Sequence, residues 1–110
     1  MTLVMLQQVR NYTMAKGYLL GQITINDKDQ YKKYNSKIGG IIDEYGGKYL
    51  VKGGFRVVKE GYPSWQRDVL VEFKDIETAK LFFSSKKFKD ISKFRKAGSS
   101  GFLILVNGET

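Results

Sequence analysis

Tyr45-Gly46-Gly47-Lys48-Tyr49-Leu50-Val51-Lys52-Gly53-Gly54 is the stretch on which the fold turns. The first glycine pair follows a helical apolar pattern and precedes a strand-like one, so Gly46 is expected to end a helix. The segment that follows is predicted to be a strand from Lys48 to about Glu60, with Gly53-Gly54 as a bulge inside it. A phosphate loop would need the opposite order, strand then glycines then helix, with a lysine and a hydroxyl residue in place. Nucleotide binding through these glycines is therefore not expected.

Upstream, Tyr31, Tyr34, Ile38, Ile41, Ile42 and Tyr45 recur every three to four residues and form one apolar helical stripe. Asp27 is the expected N-cap, with Gln30 three residues on as in a capping box. Gly39 and Gly40 each cost this helix up to about 1 kcal/mol relative to alanine, which points to close packing or a kink. Before the helix, Lys16 to Ile25 alternates as a strand. Leu19, Gly21, Ile23 and Ile25 share one face, and Tyr18, Leu20, Gln22 and Thr24 share the other. Residues 1–13 are expected to be an extension, able to dock as a strand or short helix, or the product of an upstream start codon, with one domain over 14–110. Their apolar patch is too short to span a bilayer, and its flanks do not suit a signal peptide.

Downstream, Gly61 to Gln66 is a loop around the single proline, Pro63. Asp68 to Lys74 alternates, with Val69, Val71 and Phe73 against Leu70 and Glu72. Asp75 is placed to cap a helix carrying Ile76, Ala79, Phe82 and Phe83, which Ser84 and Ser85 end. A basic helix from Lys86 to Ala97 buries Phe88, Ile91 and Phe94. Gly98 to Gly101 reads as a turn, and Phe102 to Val106 as a last strand that is apolar on both faces.

The order is β-α-β-β-α-β with an extra short helix, a ferredoxin-like α+β domain with helices on one face of an antiparallel sheet. The other face would carry Leu20, Leu70 and half of the final strand. A monomer seldom leaves so much apolar sheet wet. A second copy placed there by two-fold symmetry would cover it, giving a homodimeric α/β barrel with a space between the sheets.

The glycine-rich stretch, Asp27 with Tyr31 and Tyr34, Arg67 leading to Val71-Glu72-Phe73, Ala79 with Phe82-Phe83 and Ser85, and Arg95 together resemble the family called domain of unknown function 1330. The resemblance runs over roughly Lys16 to Gly108. It implies the dimeric α/β-barrel fold, shared with cofactor-independent monooxygenases, and implies no reaction. The chain departs from the family at Lys28, where proline is usual, at Lys52, often arginine, and at Lys86-Lys87-Phe88, where Pro-Glu-Tyr is common. The last change makes a helix start basic.

Composition excludes several chemistries. The chain has 110 residues, 42% of them hydrophobic and 14% aromatic, enough for one self-supporting core. It has neither cysteine nor histidine. Disulfides, thiolate metal sites, cysteine nucleophiles and serine–histidine triads are ruled out. No metal and no organic cofactor is expected, and the lack of cysteine fits a reducing cytoplasm.

Polar groups among apolar neighbours mark the candidate ligand-binding residues. Gln22, Thr24 and Glu72 project into the expected inter-sheet space, where Glu72 could serve as a base or hold a cation. The favoured reading is structural, an internal salt bridge or hydrogen bond to Arg67, Lys52 or Arg95. Tyr18, Tyr49 and Trp65 are the aromatics best placed to meet a ligand, though packing or dimer contact is the favoured role. Arg67 and Arg95 complete the set. Tyr31, Tyr34 and Tyr45 belong to the core by spacing.

Net charge is +8. Six cations lie between Lys86 and Lys96, against the single acid Asp90. Such a helix attracts polyanions in a salt-dependent way, yet its apolar residues keep helical spacing and no nucleic-acid-reading motif is present. Two functions follow. One is a homodimer binding, or converting without a metal, a small molecule between its sheets. The alternative is a non-enzymatic dimer module that docks an acidic partner through helix 86–96. Neither nucleic acid nor membrane is an expected partner.

Overall fold

The computed structural model describes residues 15–109, and the expected extension at 1–13 lies outside them. The elements are β1 (Gly17–Ile25), α1 (Lys28–Glu44), β2 (Lys48–Lys52), β3 (Arg67–Phe73), α2 (Ile76–Ser84), α3 (Lys86–Gly98) and β4 (Ser99–Asn107). The four strands form one antiparallel sheet in the order β2-β3-β1-β4. This is the ferredoxin-like α+β architecture expected above.

Strand alternation sorts the sheet into two faces. Leu19 and Ile23 of β1 and Val69, Val71 and Phe73 of β3 face the helices and are buried. Against them pack Tyr31, Tyr34, Ile38, Ile41 and Ile42 of α1, Ala79 and Phe82 of α2, and Phe88 and Ile91 of α3. Phe82 stands at the centre, with ring centroids 5.1 Å from Phe73 and 4.7 Å from Phe88. Burial of each such phenyl group contributes about 1.5–3 kcal/mol.

Local signals position the helices. The Asp27 carboxylate accepts from the backbone N–H groups of Asp29 and Gln30. The Asp27 N–H, which a capping box would give to Gln30, donates instead to Gly98 O at 3.1 Å. Gly46 ends α1 at φ 67°, while the Gly47 N–H returns to Ile42 O at 2.9 Å. Asp75 caps α2 through Thr78. Ser85 closes α2 and opens α3: its N–H donates to Phe82 O, and its Oγ accepts from the Phe88 N–H.

Three expectations need correction. The second strand stops at Lys52, well short of Glu60, and the ladder irregularity lies between Tyr49 and Val51. Gly53 and Gly54 both take positive φ, 67° and 90°, which turns the chain out of the sheet. Close packing does not account for Gly39 and Gly40, since a Cβ at either would meet nothing within 4 Å. Finally, Gly98–Gly101 is not a turn. Gly98 ends α3 and Ser99 begins β4 directly, because Gly98 O is held by the N–H groups of both Asn26 and Asp27.

The uncovered face carries Leu20, Leu70, Phe102, Ile104 and Val106, with Leu20 37% and Ile104 44% exposed. From the sheet edge, segment 53–66 presents Phe55 and Tyr62 almost wholly to solvent. Among the described residues no helix is long and apolar enough to cross a membrane.

Candidate functional site

The residues proposed from sequence fall on opposite sides of the sheet. Tyr18, Gln22, Thr24, Glu72 and Trp65 belong to the uncovered side, while Tyr49, Arg67 and Arg95 belong to the side under the helices.

On the uncovered side the polar groups satisfy one another. Tyr18 and Glu72 are directly opposed in the β1–β3 ladder, and the Tyr18 hydroxyl donates to Glu72 Oε2 at 3.2 Å. Glu72 therefore bonds neither Arg67, Lys52 nor Arg95. Arg67 lies on the other face of the same strand, in phase with Val69, and Lys52 and Arg95 line the cleft on that face. Desolvation, then the hydrogen bond to Glu72, raises the Tyr18 pKa above its ordinary value. Gln22 Nε2 donates to Asp68 Oδ1 at 3.0 Å. Arg56 grips the same carboxylate with Nε at 2.8 Å and Nη2 at 2.6 Å, and its Nη1 donates to Trp65 O at 2.8 Å. The guanidinium holds the Asp68 carboxyl below the usual carboxylate range. Thr24 Oγ1 accepts from the Gln66 N–H, and the Trp65 ring stands edge-on to Phe102 at 5.3 Å. These contacts brace the root of segment 53–66.

On the covered side, the end of the sheet where β3 begins gathers cations and phenols. Arg67 projects from β3, Tyr31 and Tyr34 from α1, Tyr49 and Lys52 from β2, and Arg95 from α3. The Arg67 guanidinium carbon lies 6.0 Å from the Tyr31 ring centroid, and its Nη2 donates to Lys52 O at 3.4 Å. Its Nε is buried with no hydrogen-bond partner. Arg95 lies 5.4 Å from the Tyr34 ring and 5.3 Å from Phe88, and donates to Ser92 Oγ at 3.2 Å. Lys52 Nζ sits 4.8 Å from the Tyr49 ring.

No carboxylate lines this cleft, and it admits little more than a water molecule. Burial raises the pKa values of Tyr31, Tyr34 and Tyr49, most strongly Tyr49, against the opposing pull of nearby arginine. All three hydroxyls therefore remain hydrogen-bond donors at neutral pH. The arrangement suits an anionic oxygen. Tyr31, Tyr34 and Lys52 were absent from the sequence-derived ligand set. The signal that could have found this cleft is the phase of Arg67: a cation at the position that continues Val69, Val71 and Phe73 must enter the core side.

The basic helix α3 is largely engaged within the chain. Lys86 pairs with Asp90 at 2.9 Å, Lys87 pairs with Glu44 of α1 at 2.7 Å, and Arg95 turns inward. Exposed pairs of this kind are worth little stability, but they reduce the outward charge of the helix. Among the described residues no group of three or more metal-ligating side chains is assembled.

Comparison with solved structures places the fold. A protein of unknown function from Rhodopseudomonas palustris, RPA0582, superposes with a TM-score of 0.73 at 17% identity, covering 100% of this chain and 95% of that one. SnoaB, a cofactor-independent oxygenase from Streptomyces nogalater, gives 0.59 at 8% identity, with 87% and 95% covered. A dimeric ferredoxin-like protein of unknown function from Bacteroides fragilis gives 0.50 at 11% identity, with 84% and 95% covered. At these identities the likeness is one of fold. No curated protein matches the chain in sequence. Residues 16–109 match the domain of unknown function DUF1330, and the chain belongs to that family.

Proposed function

We propose that this protein is a homodimer that binds a small molecule in the cleft between its sheet and its helices, at the Arg67–Arg95 end. The observation that carries this is the buried Arg67 Nε without an acceptor. An unpaired buried donor on a cation costs several kcal/mol unless something fills the vacancy, and functional sites are where such costs persist. The inter-sheet alternative has less support, because Glu72, Gln22 and Thr24 already have partners within the chain.

Pairing of two copies through the uncovered face is supported by the exposed Leu20 and Ile104, by the projecting Phe55 and Tyr62, and by the dimeric protein of the same fold. The fold also houses an oxygenase that needs no cofactor, so a small-molecule site on this scaffold has precedent, though no reaction follows. The direct test is native mass spectrometry of freshly purified protein, followed by denaturation and identification of the released mass. A compound retained by the wild type and lost in Arg67→Gln supports the proposal. A compound retained equally by both proteins refutes this location.

A further inference from the structure

We infer that the cleft takes the carboxylate head of a small organic acid, with Arg67 as the guanidinium that grips it. This rests on the small-molecule site proposed above and adds the chemical class of its occupant. Three cations, Lys52, Arg67 and Arg95, converge where no acid neutralises them. Most arginines in such a setting are forked by a carboxylate, as Arg56 is by Asp68 in this same molecule. Among the described residues Arg67 has no carboxylate partner: its guanidinium meets the Tyr31 hydroxyl and makes a long contact to Lys52 O, and Nε stays without an acceptor.

The shape of the space narrows the anion. The opening is slight, and Tyr31 and Tyr34 form part of its wall. One oxygen of a planar carboxylate can replace the single water the slot admits, with the second oxygen matching the guanidinium fork as the slot widens. A phosphate is bulkier, and with up to two charges to desolvate it costs more to bury. The tyrosine hydroxyls, kept protonated by burial, can donate to a carboxylate oxygen. The cleft has room for about one water, and Leu19 and Val69 behind it are closed core, so the hydrocarbon body lies outside the cleft, past the exposed Lys52. Lys52, exposed on the edge strand, stands at the mouth and supplies longer-range attraction.

The arginine Nε–Hε signals of full-length protein in low-chloride buffer provide the test. Benzoate, its neutral isostere benzamide, and inorganic phosphate are titrated separately and followed by proton–nitrogen correlation spectra. Benzoate is expected to shift the Arg67 signal saturably, with half-saturation near or below roughly 1 mM, and benzamide and phosphate to bind at least about tenfold more weakly. Lys52→Gln, a change at an exposed position that leaves the core untouched, is expected to weaken benzoate about threefold, roughly one lost long-range charge. Equal responses to benzoate and benzamide would overturn the anionic head while leaving a small-molecule site in place. Phosphate binding more tightly than benzoate would overturn the carboxylate assignment. Failure of the Arg67 signal to move with any of the three would overturn the inference, whereas the retained-compound experiment decides the site by itself.

Discussion

Gly53 and Arg67 occupy one space: a Cβ built on Gly53 would run into the Arg67 guanidinium. The third glycine of the fold-determining stretch is thus a neighbour of the candidate ligand site. Gly53 also takes φ 67° and donates its N–H to Asp68 O at 2.7 Å. Gly53→Ala combines a left-handed backbone with a side-chain overlap. It is expected to cost about 1–3 kcal/mol, read by urea unfolding, and to displace Arg67. An unchanged midpoint would show that neither the left-handed backbone nor the overlap with Arg67 carries a cost.

Alkaline pH should unfold the protein through its phenols. Tyr31, Tyr34 and Tyr49 have folded-state pKa values raised by burial, so they keep their protons where the unfolded chain loses them. The folded state then binds more protons than the unfolded one, and stability falls as pH rises past about 10. Urea midpoints measured from pH 8 to 11 should decline, and Tyr49→Phe should make that decline shallower. A flat profile would contradict the burial of these hydroxyls.

Acid should loosen the root of segment 53–66. The Asp68 pKa is lowered, chiefly by its hydrogen bond from Arg56. A depressed carboxylate contributes stability above its unfolded pKa of about 4, and that contribution disappears as pH falls through the folded value. Both side chains are partly solvated, so the effect is modest. Trp65 fluorescence should report it, since Arg56 also holds Trp65 O. Arg56→Ala should abolish the transition below pH 4, and a transition that survives would assign it to another carboxyl group.

The core depends on Phe82, which is fully buried and touches Phe73 and Phe88. Phe82→Ala is expected to lose about 3–5 kcal/mol. Leu81 next to it is 64% exposed, and Leu81→Ala should stay within about 0.5 kcal/mol. Comparable losses in both would mean that α2 is turned differently on the sheet.

Association can be tested separately from folding. Ile104→Lys replaces an exposed side chain on the uncovered face, so the monomer should tolerate it. Sedimentation should show a dimer for wild type and a monomer for the variant. A wild type that stays monomeric up to about 100 μM, where even weak specific pairs associate, would remove the dimer.

The architecture was legible because strand and helix periods rarely coincide and the caps were unambiguous. Asp27 and Asp75 cap helices through their carboxylates and Gly46 supplies the positive φ that ends α1, whereas Ser85, read only as ending α2, also caps α3. The end of β2 was not legible, since Val57 and Val58 look like strand residues and only the torsions of Gly53 and Gly54 show the chain leaving the sheet. The candidate site was half legible. Tyr49, Arg67 and Arg95 were named, but they were assigned to the same space as Glu72. Tyr31 and Tyr34 passed as packing residues, because a one-dimensional stripe does not show that two guanidinium groups approach their rings.

The carbonyl of Gly98 accepts from both Asn26 and Asp27, and its Cα lies against the first turn of α1. This clasp links the helix bearing Tyr31 and Tyr34 to the helix bearing Arg95. One jaw of the candidate cleft is thereby fixed like the heel of a vice. Any widening to admit a guest must come from the opposite jaw, the short edge strand with Tyr49 and Lys52, where backbone order should respond first to occupancy.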